Sequence, residues 1–76
     1  TKIDFALPRT GDVSLVIYNL MGQQVRTLLA KNMEYGFHTI TWNGLDQSGR
    51  PVSSGVYFSE LRARSFRQTK KMLMLK

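Results

Sequence analysis

The segment Thr41–Phe58, TWNGLDQSGRPVSSGVYF, constrains this chain more than any other. A strand-like run ends at Trp42, and a second opens at Val56-Tyr57-Phe58. Between them stand Asn43-Gly44, Asp46, Ser48-Gly49, Pro51 and Ser53-Ser54-Gly55. Gly and Asn tolerate positive φ, Pro fixes φ, and Asp and Ser side chains hydrogen-bond their own backbone. The segment is therefore an ordered connection between two strands.

Short alternating runs lie on both sides of it. Ile3, Phe5 and Leu7 alternate with Asp4 and Ala6, a half-buried strand that Pro8 ends. Arg9-Thr10-Gly11-Asp12 reads as a turn. Val13, Leu15 and Ile17 alternate with Ser14, Val16 and Tyr18, a strand with apolar groups on both faces. Asn19 and Gly22 bracket a tight turn, and the imperfect alternation of Gln24–Ala30 predicts a bulged third strand. Lys31–Gly36 reads as a polar connection with positive φ at Gly36, and Phe37–Asn43 as a fourth strand. Arg50-Pro51-Val52 is expected to form a short edge strand, where Pro is tolerated. Val56–Ala63 and Arg67–Leu75 then make a terminal hairpin around Arg64-Ser65-Phe66.

A basic amphipathic helix over Leu61–Lys76 is the rival for that last stretch. Leu61, Phe66 and the unbroken Met72–Leu75 make no stripe at helical spacing. Four consecutive apolar residues bounded by charges fit a strand touched on both faces. About seven short antiparallel strands predict an all-β fold, an immunoglobulin-like β-sandwich. In such a fold Tyr57, just after a tight corner, sits where a tyrosine corner forms, its hydroxyl bonding backbone upstream. Trp42 is then the large central core residue, with an indole N–H that needs a partner.

Composition narrows the function. A chain of 76 residues is one domain; it buries only about 60–65% of its unfolded surface, so the core must be well patterned. With no cysteine, neither disulfides nor thiolate-bound zinc is available. His38 is the one histidine, and the nearby acids Glu34 and Asp46 lie on loops to either side, so it reads as a packed or half-exposed strand residue. NGLDQSGR offers one carboxylate and ends in Arg50, which describes a side-chain-capped turn and not a calcium loop. Asp4, Asp12, Glu34, Asp46 and Glu60 are scattered and suggest no acid/base pair. The glycines sit singly in turns, without a phosphate loop, and the Ser-Gly steps lack the nucleophile-elbow pattern. The expectation is a non-catalytic domain with no metal and no cofactor.

The formal net charge is +6, and Arg62, Arg64, Arg67, Lys70, Lys71 and Lys76 all fall in the last fifteen residues with no acid among them. This pattern, with Tyr57, Phe58 and Phe66 nearby, invites a polyanion reading. In so small a domain most aromatics are needed for the core, which argues against nucleic acid, and basic residues on exposed strands also suppress edge pairing. No apolar run approaches the roughly 20 residues that span a bilayer. Thr1 is not Met and no signal peptide precedes it, so residues 1–76 read as a domain excised from the C-terminal end of a larger secreted protein. Exposed edge strands leave homodimerisation or strand exchange open.

The assembled pattern resembles the C-terminal immunoglobulin-like modules of secreted bacterial proteins. The resemblance rests on Leu7-Pro8, Val13, Leu15, Ile17, Gly22, Val25, Leu28, Gly36 and His38. It continues through Trp42, Gly44, Asp46, Gly49, Ser54-Gly55, Tyr57 and Lys70-Lys71 with the apolar tail. Two overlapping families are similar: the type IX secretion C-terminal sorting domain, and the FlgD-like domain first described in the flagellar hook-capping protein. The long WNGLDQSGRPVSSG loop looks like the hook-cap type, and the KKMLMLK ending looks like sorting domains. The sorting resemblance implies an address recognised by an outer-membrane translocon and a sortase, and attachment to an anionic surface polysaccharide. Residues 1–76 would then travel through the periplasm to the bacterial outer surface. By that analogy Lys70, Lys71 and Lys76 on the terminal hairpin are the expected contact residues, and Trp42, Tyr57, Gly44, Asp46, Gly49 and Gly55 are structural. The alternative from a different class is a structural or accessory module that spaces, stabilises or self-associates beside its own upstream domain, with no export role.

Overall fold

The computed structural model describes residues 1–75, so Lys76, an expected contact residue, lies outside the described residues. Among these, six strands form and no helix: β1 Lys2–Leu7, β2 Gly11–Asn19, β3 Gln24–Met33, β4 Gly36–Thr41, β5 Gly55–Ala63 and β6 Arg67–Met74. They make two antiparallel sheets, β1-β4 and β3-β2-β5-β6, a small immunoglobulin-like β-sandwich.

Period-two alternation builds the core directly. Ile3, Phe5 and Leu7 of β1 turn inward against Val13, Leu15 and Ile17 of β2 and Tyr57 and Leu61 of β5. Each such buried side chain contributes about 1.5–3 kcal/mol relative to exposure. Val16 is also buried but belongs to the opposite face of β2, where Glu60 and Thr27 flank it. The Asn19–Gly22 turn closes with Gly22 N–H on the Asn19 carbonyl at 3.0 Å. The Asn19 carboxamide oxygen accepts from Met21 N–H and Gln23 N–H at 3.0 and 2.9 Å. The expected irregularity in β3 is present: the register shifts between Leu15 and Val16 and again between Ile17 and Tyr18, leaving Leu28 and Val25 as the extra residues.

The structure differs from the sequence expectation at several points, beyond shifts of one or two residues at the ends of β4, β5 and β6. β2 starts at Gly11, inside the expected Arg9–Asp12 turn, because Gly11 and Asp12 pair with Met33 and Asn32. For the same reason β3 runs through Lys31–Met33, read as a polar connection; Gly36 keeps its positive φ. No seventh strand forms at Arg50-Pro51-Val52 among the described residues. Only an isolated bridge joins Leu45 to Pro51, since Pro51 has no N–H to extend a ladder and Asp46 closes the turn between them. Finally, Met72–Leu75 is touched on one face only. Met72 and Met74 are half-buried, whereas Leu73 and Leu75 are 60% and 76% exposed, because nothing among the described residues covers the outer face of the large sheet there.

Candidate functional site

The Trp42–Tyr57 connection is held by its own side chains. Trp42 is fully buried, and its Nε1–H donates to the Leu45 carbonyl at 2.9 Å. Its ring meets Tyr57 edge-on, with centroids 5.2 Å apart. The Tyr57 hydroxyl donates to the Ser53 carbonyl at 2.7 Å, four residues upstream, which is the geometry of a tyrosine corner.

Asp46 is the hub of the turn. Its Oδ1 accepts from Ser48 N–H at 3.0 Å, the Ser48 hydroxyl at 2.8 Å and Arg50 N–H at 2.9 Å. The Arg50 amide first, and the Ser48 hydroxyl next, hold this carboxyl below its ordinary pKa. Gly49 N–H donates to the Asp46 carbonyl at 3.0 Å, and Gly55 opens β5. Gly44 is buried at φ 77°, which selects glycine; the Met74 methyl lies 3.4 Å from where a Cβ would sit, an ordinary contact distance.

Two further residues tie this loop to the sheet. Gln47 N–H donates to the Val25 carbonyl at 2.9 Å, and its Oε1 accepts from Thr27 N–H at 2.9 Å. Those two contacts occupy the free edge of β3 as a paired strand would. Arg26 donates through Nη1 to the Asp46 carbonyl at 2.9 Å, while its Nε is buried without a partner. Sequence reasoning missed both residues. They act across some twenty positions of chain, and no local periodicity or motif marks them.

His38 is half-buried and stacks on Phe5 at 5.4 Å, and its Nε2 lies 2.7 Å from the Glu34 carbonyl. The carbonyl can only accept, so Nε2 carries the proton there. Glu34 thus meets the imidazole by its backbone and not by its carboxylate. Among the described residues no three His, Cys, Asp or Glu side chains come together as metal ligands would.

The structure separates the two lysines of the terminal hairpin. Lys71 pairs with Phe58 and faces outward from the large sheet, while Lys70 pairs with Ser59 and faces the small sheet. Lys70 Nζ donates to the Asp4 carbonyl of β1 at 2.7 Å. Glu60 is held between Arg62 at 2.7 Å and Arg67 at 4.0 Å, so part of the hairpin's charge is balanced internally. A broad cleft at the hairpin tip gathers Arg9, Lys31, Arg62 and Arg64 around Asp12 and Phe66. No helix among the described residues is long and apolar enough to cross a membrane.

Comparison with known proteins yields no match among curated proteins and none among solved structures. The family model of the FlgD Ig-like domain matches residues 1–65, which takes in β1 through β5 and the whole Trp42–Tyr57 connection. β6 lies beyond the match, and the match lends no support to the sorting-domain side of the resemblance. A match over so much of the sequence, on a six-strand sandwich with a tyrosine corner, places this chain in the FlgD Ig-like domain family.

Proposed function

We propose that this chain is a structural or accessory immunoglobulin-like module, which works by contact with neighbouring protein and performs no catalysis. The observation that carries this reading is how the family-matched loop uses its polar groups. The Trp42 indole, the Asp46 carboxylate, the Gln47 amide and the Tyr57 hydroxyl all bond to the chain's own backbone. Groups used this way hold a rigid scaffold. Its service to a larger protein would be to space, stabilise or associate with an upstream domain.

One observation favours a second reading. β6 is an exposed, basic edge strand, and Lys71 stands on its open face. Such a strand suits recognition by an export machinery, with the protein bound for the bacterial surface. One experiment separates the two: residues 1–76 are fused behind a periplasmic reporter in a host with a type IX system, and surface reporter is measured. Retention in the periplasm with the domain folded is the result expected of a structural module. Surface display, lost when Lys71 is replaced by Glu without a fall in melting temperature, would overturn it.

A further inference from the structure

The small sheet has two strands and the large one four, and the mismatch leaves a seat beside β1. Thr1 and Trp42 exchange both backbone hydrogen bonds, at 2.8 and 3.1 Å. In an antiparallel ladder such pairs alternate with pairs whose N–H and C=O groups point the other way. Lys2 stands opposite Thr41, Asp4 opposite Thr39 and Ala6 opposite Phe37, so the backbone groups of Lys2, Asp4 and Ala6 point away from β4. They line an edge that pairs with no strand among the described residues.

The same edge lies over β6, because Lys70 reaches from β6 to the Asp4 carbonyl. Gln68, Lys70, Met72 and Met74 face the small sheet, sharing that face with Leu61, Ser59 and Tyr57 of β5. The three β5 residues are buried, yet Gln68 and Lys70 are exposed and the two methionines only half-buried. Among the described residues the inner face of β6 is therefore only partly covered: Met72 and Met74 pack on the core, Met74 against Gly44, while Gln68 and Lys70 stay open.

We infer that this seat accepts a seventh strand: an extended segment of a partner polypeptide that pairs with Lys2, Asp4 and Ala6. That segment presents a carboxylate to Lys70 and apolar side chains to Met72 and Met74. The charge preference follows from the hydrogen bonds. A strand that pairs with β1 takes the Asp4 carbonyl now used by Lys70, and a carboxylate on that strand gives the displaced ammonium a charge-assisted acceptor in its place. The Asp4 side chain does not supply it, since it alternates with the inward Ile3 and Phe5 and stands with Thr39 on the outer face of the small sheet. Lys2 is exposed on the same edge. A second copy would bring the same cations, so complementarity selects an acidic partner. Lys70 has two consequences here: an inward-facing charge discourages self-pairing, and it discriminates in favour of acids. At the β3 edge, by contrast, Gln47 already occupies the backbone groups of Val25 and Thr27.

This deepens the reading of the chain as a contact module, and the test can fail while that reading stands. The probes are the peptide Thr-Glu-Thr-Val-Thr-Val-Thr and its reversed order, covering both strand directions, each also made with Lys for Glu. They are titrated into the isotope-labelled 76-residue chain and followed by amide chemical shifts. Saturable shifts at Lys2, Asp4 and Ala6 with a Glu peptide are expected, with binding at least about tenfold weaker for its Lys counterpart. Lys70→Glu should invert that preference. Ala6→Pro, which removes an edge N–H not used by β4, should abolish binding; if that variant does not fold, the Lys70→Glu inversion still decides. Absence of saturable shifts, or shifts confined to Arg67, Thr69 and Lys71, overturns the inference. So does a concentration-dependent dimer that protects Lys2, Asp4 and Ala6 without peptide, since it would give the seat to a second copy.

Discussion

Tyr57→Phe removes one oxygen and leaves the ring, which isolates the corner hydrogen bond. The lost bond is short, 2.7 Å, and partly buried. Ser53 itself is exposed, so water can reach its carbonyl in the variant. The cost is then the net value of a hydrogen bond, about 1 kcal/mol, without the further penalty of a buried unsatisfied acceptor. In a domain of this length that lowers the melting temperature by about 6 °C. Tyr57→Leu deletes the ring as well and forfeits the edge-on contact with Trp42. An aromatic pair adds about 0.5–1.5 kcal/mol beyond area burial, so these two losses come to about 1.5–2.5 kcal/mol, to which the burial lost with the ring is added. Trp42 is the sole tryptophan, and its burial makes its fluorescence a direct reporter of urea unfolding. The midpoint should fall in both variants with an unchanged m-value. A Phe variant as stable as the parent would refute the claim that the corner bond stabilises the fold. A Phe variant as weak as the Leu variant would refute the assignment of most of the effect to the ring.

Further predictions address the loop and its neighbours. The Asp46 carboxyl has a depressed pKa in the folded chain, so it contributes stability above the ordinary carboxylate pKa of about 3.9. That contribution is lost as pH falls through the lower folded value, and urea midpoints of the parent should converge on those of Asp46→Asn over that range. Gly44→Ala and Gly22→Ala both force alanine into positive φ, at 77° and 81°. Each should cost a similar amount, about 1–2 kcal/mol, because Met74 sits at ordinary contact distance from the Gly44 Cβ position; a clearly larger loss for Gly44→Ala in chemical denaturation would mean that Met74 cannot give way. Gln47→Ala should speed hydrogen exchange at the Thr27 amide and lower stability by about 1 kcal/mol or less. Unchanged exchange at Thr27 would show that the edge is closed by something else.

Much of the fold was legible because period-two alternation reports the inward face of a strand without reference to its partner. Ile3, Phe5 and Leu7, and likewise Val13, Leu15 and Ile17, could be assigned to the core from spacing alone. Trp42 and Tyr57 were legible through a different signal, large amphipathic rings at the two ends of a turn cluster. Edges were less legible. Whether Lys31–Met33 is loop or strand depends on Gly11–Val13 lying opposite, and polar residues at the end of a strand look like a connection. Arg50-Pro51-Val52 failed as a strand because a neighbouring carboxylate gathers the turn's amides, an event internal to the loop and invisible to alternation.

The sequence by itself determined an all-β chain with an ordered Trp42–Tyr57 connection, a candidate corner, and a surplus of cations at its C-terminal end. These follow from local chemistry: turn residues, side-chain alternation and charge count. Only the tertiary structure decided that Lys70 and Lys71 leave opposite faces of β6, that Gln47 caps the β3 edge at Val25 and Thr27, and that β1 keeps an unpaired edge. Those facts depend on which strands become neighbours and on the parity of each register. Backbone pairing between residues far apart in the chain sets both.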